Sequence, residues 1–395
     1  MAELLATSFD LRGRRIKNRL ATLPMEANDA ELDGSPSGRT LERYRRLSAG
    51  GWGTVYIEAV APCERGKSRP RQLTISRKNL DSFKALIGAI RSASDPPPFI
   101  IIQINHAGRY ALHPLIAYHS ELLDPTWDIP PDLTPATTEE LEEAAAAAAA
   151  AVWLAAQTGA DAIDVKCCHG YLAAELLRRA NCRQDKFGGS FQNRIRFLDI
   201  VLSAAAESAA DFGVLFGSRV SLHEHFQDGI GSKGPGGKDI DLIDIHAITG
   251  HLMNAGASFI CETMGIPYYN PEFVRPFAGA KGGHDIVIRH HMLAGDIKFC
   301  RPGVAVINSA NSFLGSAFVN YAENDLLTKT TDLVGLGRQS FADPETPKKI
   351  FAGDIDSVRW CKACKQNSCS TLLRSRKEVG CVIHDPFYRN LLKQP

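Results

Sequence analysis

The chain has 395 residues, 44% of them hydrophobic, enough for a sizeable core in one large α/β domain or two or three smaller ones. Its 45 basic and 44 acidic residues leave a formal charge of +1, which argues against a broad nucleic-acid surface. No apolar run reaches membrane-spanning length, and MAELLATSFDLRGRRIKNR lacks the long apolar stretch of a secretory signal. A cytoplasmic protein is expected, with no nucleic acid and no membrane among its partners.

Eight short apolar or β-branched runs follow in order. They are RLATLPM (19–25), TVYIEAVA (54–61), FIIIQIN (99–105), DAIDVK (161–166), VLFGSRVS (214–221), ASFICET (257–263), GVAVINS (303–309) and TDLVGLG (331–337). Near-continuous apolarity fits strands buried on both faces of a parallel sheet. Between them, LDSFKALIGAIRSA (80–93), TTEELEEAAAAAAAAVWLAAQTG (137–159) and NRIRFLDIVLSAAAESA (193–209) read as helices. The second opens on Thr and early acids and stops at Gly, which are helix start and stop signals. The Gly-rich stretch 223–240 predicts a mobile flap after the fifth strand. Strand–helix alternation repeated about eight times predicts a (β/α)8 barrel, with a doubly wound open sheet as the competing architecture.

If the sheet closes, the strand ends share one rim. That rim would carry Pro24, Met25 and Glu26, then Glu58 and Ala59, then Gln103, Asn105, His106 and Arg109. It continues with Lys166, His169 and Tyr171, then Arg219, His223, Glu224 and His225, and ends at Gly337 and Arg338. Polar groups crowd the face on which barrels place their chemistry.

These residues resemble the old yellow enzymes, the NADH:flavin oxidoreductases. KNRLATLPM (17–25) and QINHAGR (103–109) are similar to the family's first- and third-strand motifs. HGYL (169–172) followed by NCRQDKFGGSFQNRIRF (181–197) is the most specific match, and GLGRQSFADP (335–344) resembles the end of the family barrel. The resemblance implies an FMN-binding barrel over 1–345 that uses NAD(P)H as co-substrate. It further implies reduction of a small-molecule α,β-unsaturated carbonyl, and a homo-oligomer is expected.

By the same resemblance Pro24, Met25 and Glu26 lie along the flavin, and Ala59 is small enough to let the ring approach its strand. Gln103 offers a donor and an acceptor to the pyrimidine edge. Arg219 would sit beside the edge that becomes negative on reduction. Arg338, with amides around Asn308, Ser309 and Gly337, would hold the phosphate. Lys166 and His169 would hold the substrate carbonyl while Tyr171 supplies a proton to the carbon opposite the hydride. Three positions depart from the family: Lys166 stands where His is common, Glu26 where Thr or Cys is common, and Asn308-Ser309 where a Gly pair is common.

Of ten cysteines, Cys361, Cys364, Cys369 and Cys381 crowd into the segment 346–395, read as a C-terminal extension. Their C-x2-C-x4-C-x11-C spacing resembles the [4Fe–4S] segment of the 2,4-dienoyl-CoA reductase and trimethylamine dehydrogenase branch, where the second gap is shorter. A cluster is expected, with an all-cysteine zinc site as the alternative. In that branch FAD and NAD(P) domains follow, whereas this sequence stops at Pro395. Electrons are therefore expected from an electron-donor protein, or directly from NAD(P)H. Two other readings stay open: an amine-oxidising demethylase-like flavoprotein, and a non-catalytic flavin/Fe–S electron-transfer subunit.

Overall fold

The computed structural model describes residues 2–394. Each apolar run contains a strand: Leu20–Thr22, Thr54–Val60, Phe99–Ile104, Ala162–Val165, Leu215–His223, Phe259–Met264, Ala305–Asn308 and Leu333–Leu336. They pair in chain order, all parallel, and the last returns to the first with Val334 opposite Leu20 and Leu336 opposite Thr22. The sheet is thus a closed (β/α)8 barrel with no exposed edge, which excludes the open doubly wound alternative.

Alternation along each strand divides the core. On the third strand Ile100 and Ile102 face the helices, while Phe99 and Ile101 point into the barrel. A hairpin of Phe9–Leu11 with Arg14–Ile16 adds Leu11 and Ile16 to that interior cluster and plugs one end of the barrel. The other end, where the strands finish, is left for the site.

The three expected helices form as Leu80–Ser92, Thr138–Ala156 and Phe191–Phe212. Thr137 and Glu140 close a reciprocal capping box at the start of the second, and Gly213 at φ 68° ends the third. Gly38–Ala49, Leu242–Asn254, Gly283–Cys300 and Phe318–Leu327 add to the outer layer. No helix among the described residues is long and apolar enough to cross a membrane.

The stretch 223–240 corrects the expectation of a flap. Ser232–Lys233 pairs with Asp239–Ile240, Phe226 and Ile230 are buried, and His223 Nε2 lies 3.1 Å from the Gly237 carbonyl. A Cβ at Gly231 would stand 1.8 Å from the Leu222 carbonyl oxygen, so this glycine permits close packing rather than freedom.

The segment after the barrel folds back across its open end. The Val379 amide donates to the Ala27 carbonyl at 2.8 Å, and Asn28 Nδ2 to the Arg376 carbonyl at 2.8 Å. Arg69 Nε donates to the Leu373 carbonyl at 3.0 Å, and the Ala278 amide to the Ala363 carbonyl at 2.7 Å. Leu372, Val379 and Val382 form a small core of its own.

Candidate active site

The fourth strand stops at Val165, and the next six residues build one wall of a cleft. Cys167 still pairs with the fifth strand, its amide donating to the Arg219 carbonyl at 2.8 Å and its carbonyl accepting from the Ser221 amide at 3.1 Å. The chain then turns sharply through two left-handed residues, His169 at φ 62° and Gly170 at φ 77°. Left-handed backbone at a histidine costs about 1–3 kcal/mol and persists only where surroundings impose it. Here the His169 amide donates to Ser221 Oγ at 3.1 Å, and a Cβ on Gly170 would come within 2.9 Å of Arg178 Nη2. Tyr171 then leads into the short helix Leu172–Leu177. The turn brings Lys166, His169 and Tyr171 onto the same cleft.

Buried ion pairs hold that wall. Arg178 grips Glu224 through two bonds of 2.7 and 2.9 Å, and neither side chain is exposed. Arg109 makes bonds of 3.0 and 2.9 Å to Glu175 and also pairs with Asp124. Buried pairs of this kind specify geometry, because breaking one leaves a buried charge uncompensated.

The cleft is open to solvent and spans about 1000 Å³, part of it bulk water. Its lining includes Pro24, Met25 and Glu26 after the first strand, Lys166, His169 and Tyr171 after the fourth, and Arg219 on the fifth. Gly337 and Arg338 follow the eighth strand, and Cys369 comes from the extension. Sequence reasoning did not single out Tyr268, Arg275, Ser312 or Arg374, which also line it.

Glu26 sits at the centre of a polar network. Tyr171 donates its hydroxyl to Glu26 Oε1 at 3.3 Å, Ser68 donates to Oε2 at 3.1 Å, and Lys166 Nζ is 3.7 Å from Oε1. Beyond Tyr171, the Tyr268 hydroxyl is 3.2 Å away and accepts from Arg69 Nη2 at 3.1 Å. The Lys166 ammonium also lies 4.0 Å from the centre of the Tyr171 ring. Burial, then Glu26 and Tyr268, pushes the Tyr171 phenol well above its usual range. Burial lowers Lys166, with Glu26 opposing that shift. Burial, then the Arg219 and Lys166 charges, holds His169 well below the usual imidazole range, so its ring is neutral at pH 7.

Deeper in the barrel, Asp164 accepts from Tyr56 Oη at 3.0 Å, from the Arg219 amide at 3.1 Å and from Gln103 Nε2 at 3.4 Å. Burial raises Asp164 to about 6. Gln103 Oε1 and Arg219 Nε are buried with no protein partner. Arg219 Nη2 reaches Thr263 Oγ1 at 3.4 Å, and the same hydroxyl is 3.0 Å from His169 Nε2.

The remaining expected residues lie beside the cleft. Ala59 is buried, and its carbonyl accepts from Gln72. The Asn308 side chain bonds to Asp325, Asn311 and the Gly335 amide. The Ser309 amide donates to Glu262 at 2.6 Å, and its hydroxyl is 3.2 Å from His290. The loop meets the cleft one step later, at Ala310, which has φ 66°, and at Ser312.

Cys361, Cys364, Cys369 and Cys381 line one small cavity of about 400 Å³, with Arg275 and Arg338 in the wall it shares with the larger cleft. Cys369 touches both spaces, and burial raises its thiol to about 11. Among the described residues, no three of these sulfurs lie within 4.8 Å of one another. Four thiolates on one zinc would stand about 3.8 Å apart, given Zn–S bonds near 2.3 Å.

The family model for the NADH:flavin oxidoreductase / NADH oxidase family matches residues 5–255. An NADH oxidase of Thermoanaerobacter brockii is 30% identical over 384 residues, covering 93% of this chain and 54% of its own. An NADPH dehydrogenase of Clostridium acetobutylicum is 30% identical over 205 residues, covering 51% of this chain and 59% of its own. A structure of 2-naphthoyl-CoA reductase with 2-naphthoyl-CoA superposes with TM-score 0.83 at 23% identity, covering all of this chain and 58% of that one. Histamine dehydrogenase from Rhizobium sp. 4-9 gives TM-score 0.75 at 19% identity, over 98% and 53% of the two chains. The two structural likenesses bear on the fold alone, and the chain spans little more than half the length of these four relatives. With more than half of its residues matched by the family model, the chain belongs to the NADH:flavin oxidoreductase / NADH oxidase family.

Proposed function

We propose that the chain is an FMN-dependent NAD(P)H oxidoreductase of the ene-reductase type. The observation that carries this reading is the meeting of Lys166, His169, Tyr171 and Arg219 with Pro24, Met25, Gly337 and Arg338 in one cleft at the barrel mouth. The donor set fits FMN: the orphaned Arg219 Nε and Gln103 Oε1 are a donor and an acceptor awaiting a polar edge. Arg338, Ser312 and the backbone near Ala310 and Gly337 suit the single phosphate. When bound, FMN supplies hydride-transfer chemistry that no side chain can provide.

This chain's residues do the rest. Thr263 Oγ1 accepts from Arg219 and lies 3.0 Å from His169 Nε2; with the hydroxyl hydrogen turned to Nε2, the imidazole proton sits on Nδ1. Neutral His169 and the Lys166 ammonium would offer two donors to a carbonyl oxygen on which charge develops. Tyr171, protonated across the physiological range, is a suitable acid toward the α-carbon.

The gathering of all four cysteines on one cavity supports a metal or cluster site there, and their sequence spacing favours [4Fe–4S] over zinc. Its shared wall with the cleft also supports a second reading, in which an amine is oxidised and electrons leave through the cluster toward a partner protein.

The deciding experiment uses purified protein. Released flavin, iron and acid-labile sulfide are measured, then turnover is followed with NADH or NADPH and a panel of enones. Enone turnover without a partner is the expected result. Flavin reduced by an amine instead selects the second reading. Flavin reduced by NAD(P)H with no acceptor turned over selects an electron-transfer subunit, and protein that neither carries nor takes up FMN refutes all three.

A further inference from the structure

The Tyr171 hydroxyl is not free in the cleft: it donates to Glu26 Oε1 at 3.3 Å. An acid whose proton is held by a carboxylate is a poor donor to carbon. Losing that proton would also set a phenolate against a second negative charge, a like-charge contact that costs most where water is excluded. Tyr171 and Glu26 are both withdrawn from solvent, with only 3% of Tyr171 exposed and 9% of the Glu26 side chain. The arrangement becomes productive if the carboxyl group carries the proton.

We propose that Glu26 is a relay residue that replaces the proton Tyr171 gives to substrate. This rests on the ene-reductase reading. In the step, the Tyr171 O–H bond breaks as a C–H bond forms at the substrate α-carbon. The Glu26 O–H bond breaks as the Tyr171 O–H bond re-forms. One proton enters the substrate, Tyr171 ends neutral, and Glu26 ends as a carboxylate 3.7 Å from the Lys166 ammonium. Negative charge developed on the substrate is thereby transferred to a position where a cation already stands. The ionisable groups around Glu26 are Lys166 and Tyr171 from the loop after the fourth strand, Tyr268 behind Tyr171, and Arg69 behind Tyr268. The last two support the phenol oxygen from its far side. Glu26 acts through Tyr171 and touches no reacting carbon, so it is a positioning and relay group.

The test uses flavin-loaded protein reduced anaerobically with NAD(P)H and mixed with cyclohex-2-enone, the reoxidation rate being followed against pH. The wild type is expected to slow as pH rises, because the relay consumes a proton. Glu26→Gln keeps a hydrogen-bonding side chain but cannot resupply a proton. It is expected to reoxidise at least tenfold more slowly at low pH and to lose the falling limb, whereas Glu26→Asp keeps the limb. Lys166→Gln removes the cation that favours the carboxylate, so its limb moves to higher pH, a change that a merely structural role would not produce. Independently of turnover, the tyrosine ionisation difference spectrum that disappears in Tyr171→Phe is expected at lower pH in Glu26→Gln. A Glu26→Gln variant with the wild-type rate and limb, or an unshifted Tyr171 ionisation, overturns the relay. A wild type that reduces no enone instead overturns the ene-reductase reading, and the spectral titration still decides whether Glu26 controls Tyr171.

Discussion

Gly170→Ala separates backbone strain from crowding in the loop that carries Lys166, His169 and Tyr171. The residue has φ +77°, and a Cβ would lie 2.9 Å from Arg178 Nη2 and 3.1 Å from a Tyr110 ring carbon. Arg178 cannot swing aside cheaply, because both its Nε and Nη2 are bonded to fully buried Glu224. The left-handed conformation costs an alanine about 1–2 kcal/mol. The forced contact adds about 1–3 kcal/mol by the usual cost of overpacking. Gly13 is the internal control: φ is +82°, and nothing lies within 4 Å of its virtual Cβ. Gly13→Ala should therefore lose only the first part. Urea unfolding of both variants, each with FMN added, measures the difference. Gly170→Ala should also lose activity of order 10²-fold, since a shift of about 1 Å in positioning groups costs that much. Equal losses of stability in the two variants would refute the claim that packing beneath the loop fixes its turn.

Three further outcomes follow from the same geometry. Arg178→Met strands the Glu224 carboxylate and should destabilise the protein by about 3–5 kcal/mol, while Arg178→Met with Glu224→Leu recovers most of the loss, both read from urea midpoints. Asp164 is raised from 3.8 to about 6, so the folded state binds a proton that the unfolded state has released between those values. Wild-type stability relative to Asp164→Asn should therefore fall by about 3 kcal/mol, at about 1.4 kcal/mol per unit, as pH rises from about 4 to about 6, and should level off above that. Arg219→Met removes the buried cation whose Nε has no protein partner and should lower both FMN affinity and the flavin midpoint potential, measured by fluorescence titration and by redox titration.

The eight strands were legible because a strand buried on both faces must be apolar at nearly every position, and FIIIQI or VLFGSRV satisfies that over a short window. The helix Gly283–Cys300 was harder to read. Its buried face includes His290 and His291, and His290 spends its polarity on Glu262 at 2.9 Å and on the Phe273 carbonyl at 2.7 Å. A period read from apolar residues alone misses such a face. In the site, Lys166, His169 and Tyr171 were legible because one turn carries them all. Tyr268 and Arg69 were not, because the Tyr171–Tyr268 and Arg69–Tyr268 links span 97 and 199 positions of sequence and exist only once the barrel closes. Asn308 shows the opposite limit. Its place at a strand end was legible, whereas the bonds of its side chain to Asp325 and Asn311 were not.

The distribution of charge partners divides the barrel mouth into two layers. Outside the cleft, Arg43 with Asp29, Arg109 with Glu175 and Arg178 with Glu224 are closed pairs. At the cleft and just beneath it, Arg219 Nε and Gln103 Oε1 have no protein partner, and Arg275 has no carboxylate within 4 Å among the described residues. Burial lowers Arg275 to about 10. Each unsatisfied buried polar group costs about 1–3 kcal/mol. An anionic, planar ligand with donors and acceptors along one edge would relieve the orphaned groups of Arg219 and Gln103 together. Binding and folding are then linked, and stability should rise with free FMN as RT ln(1 + [L]/Kd). The sharp turn at His169 and Gly170 belongs to the same balance, because a loop strained in the free protein is affordable only where the closed outer pairs hold it rigid.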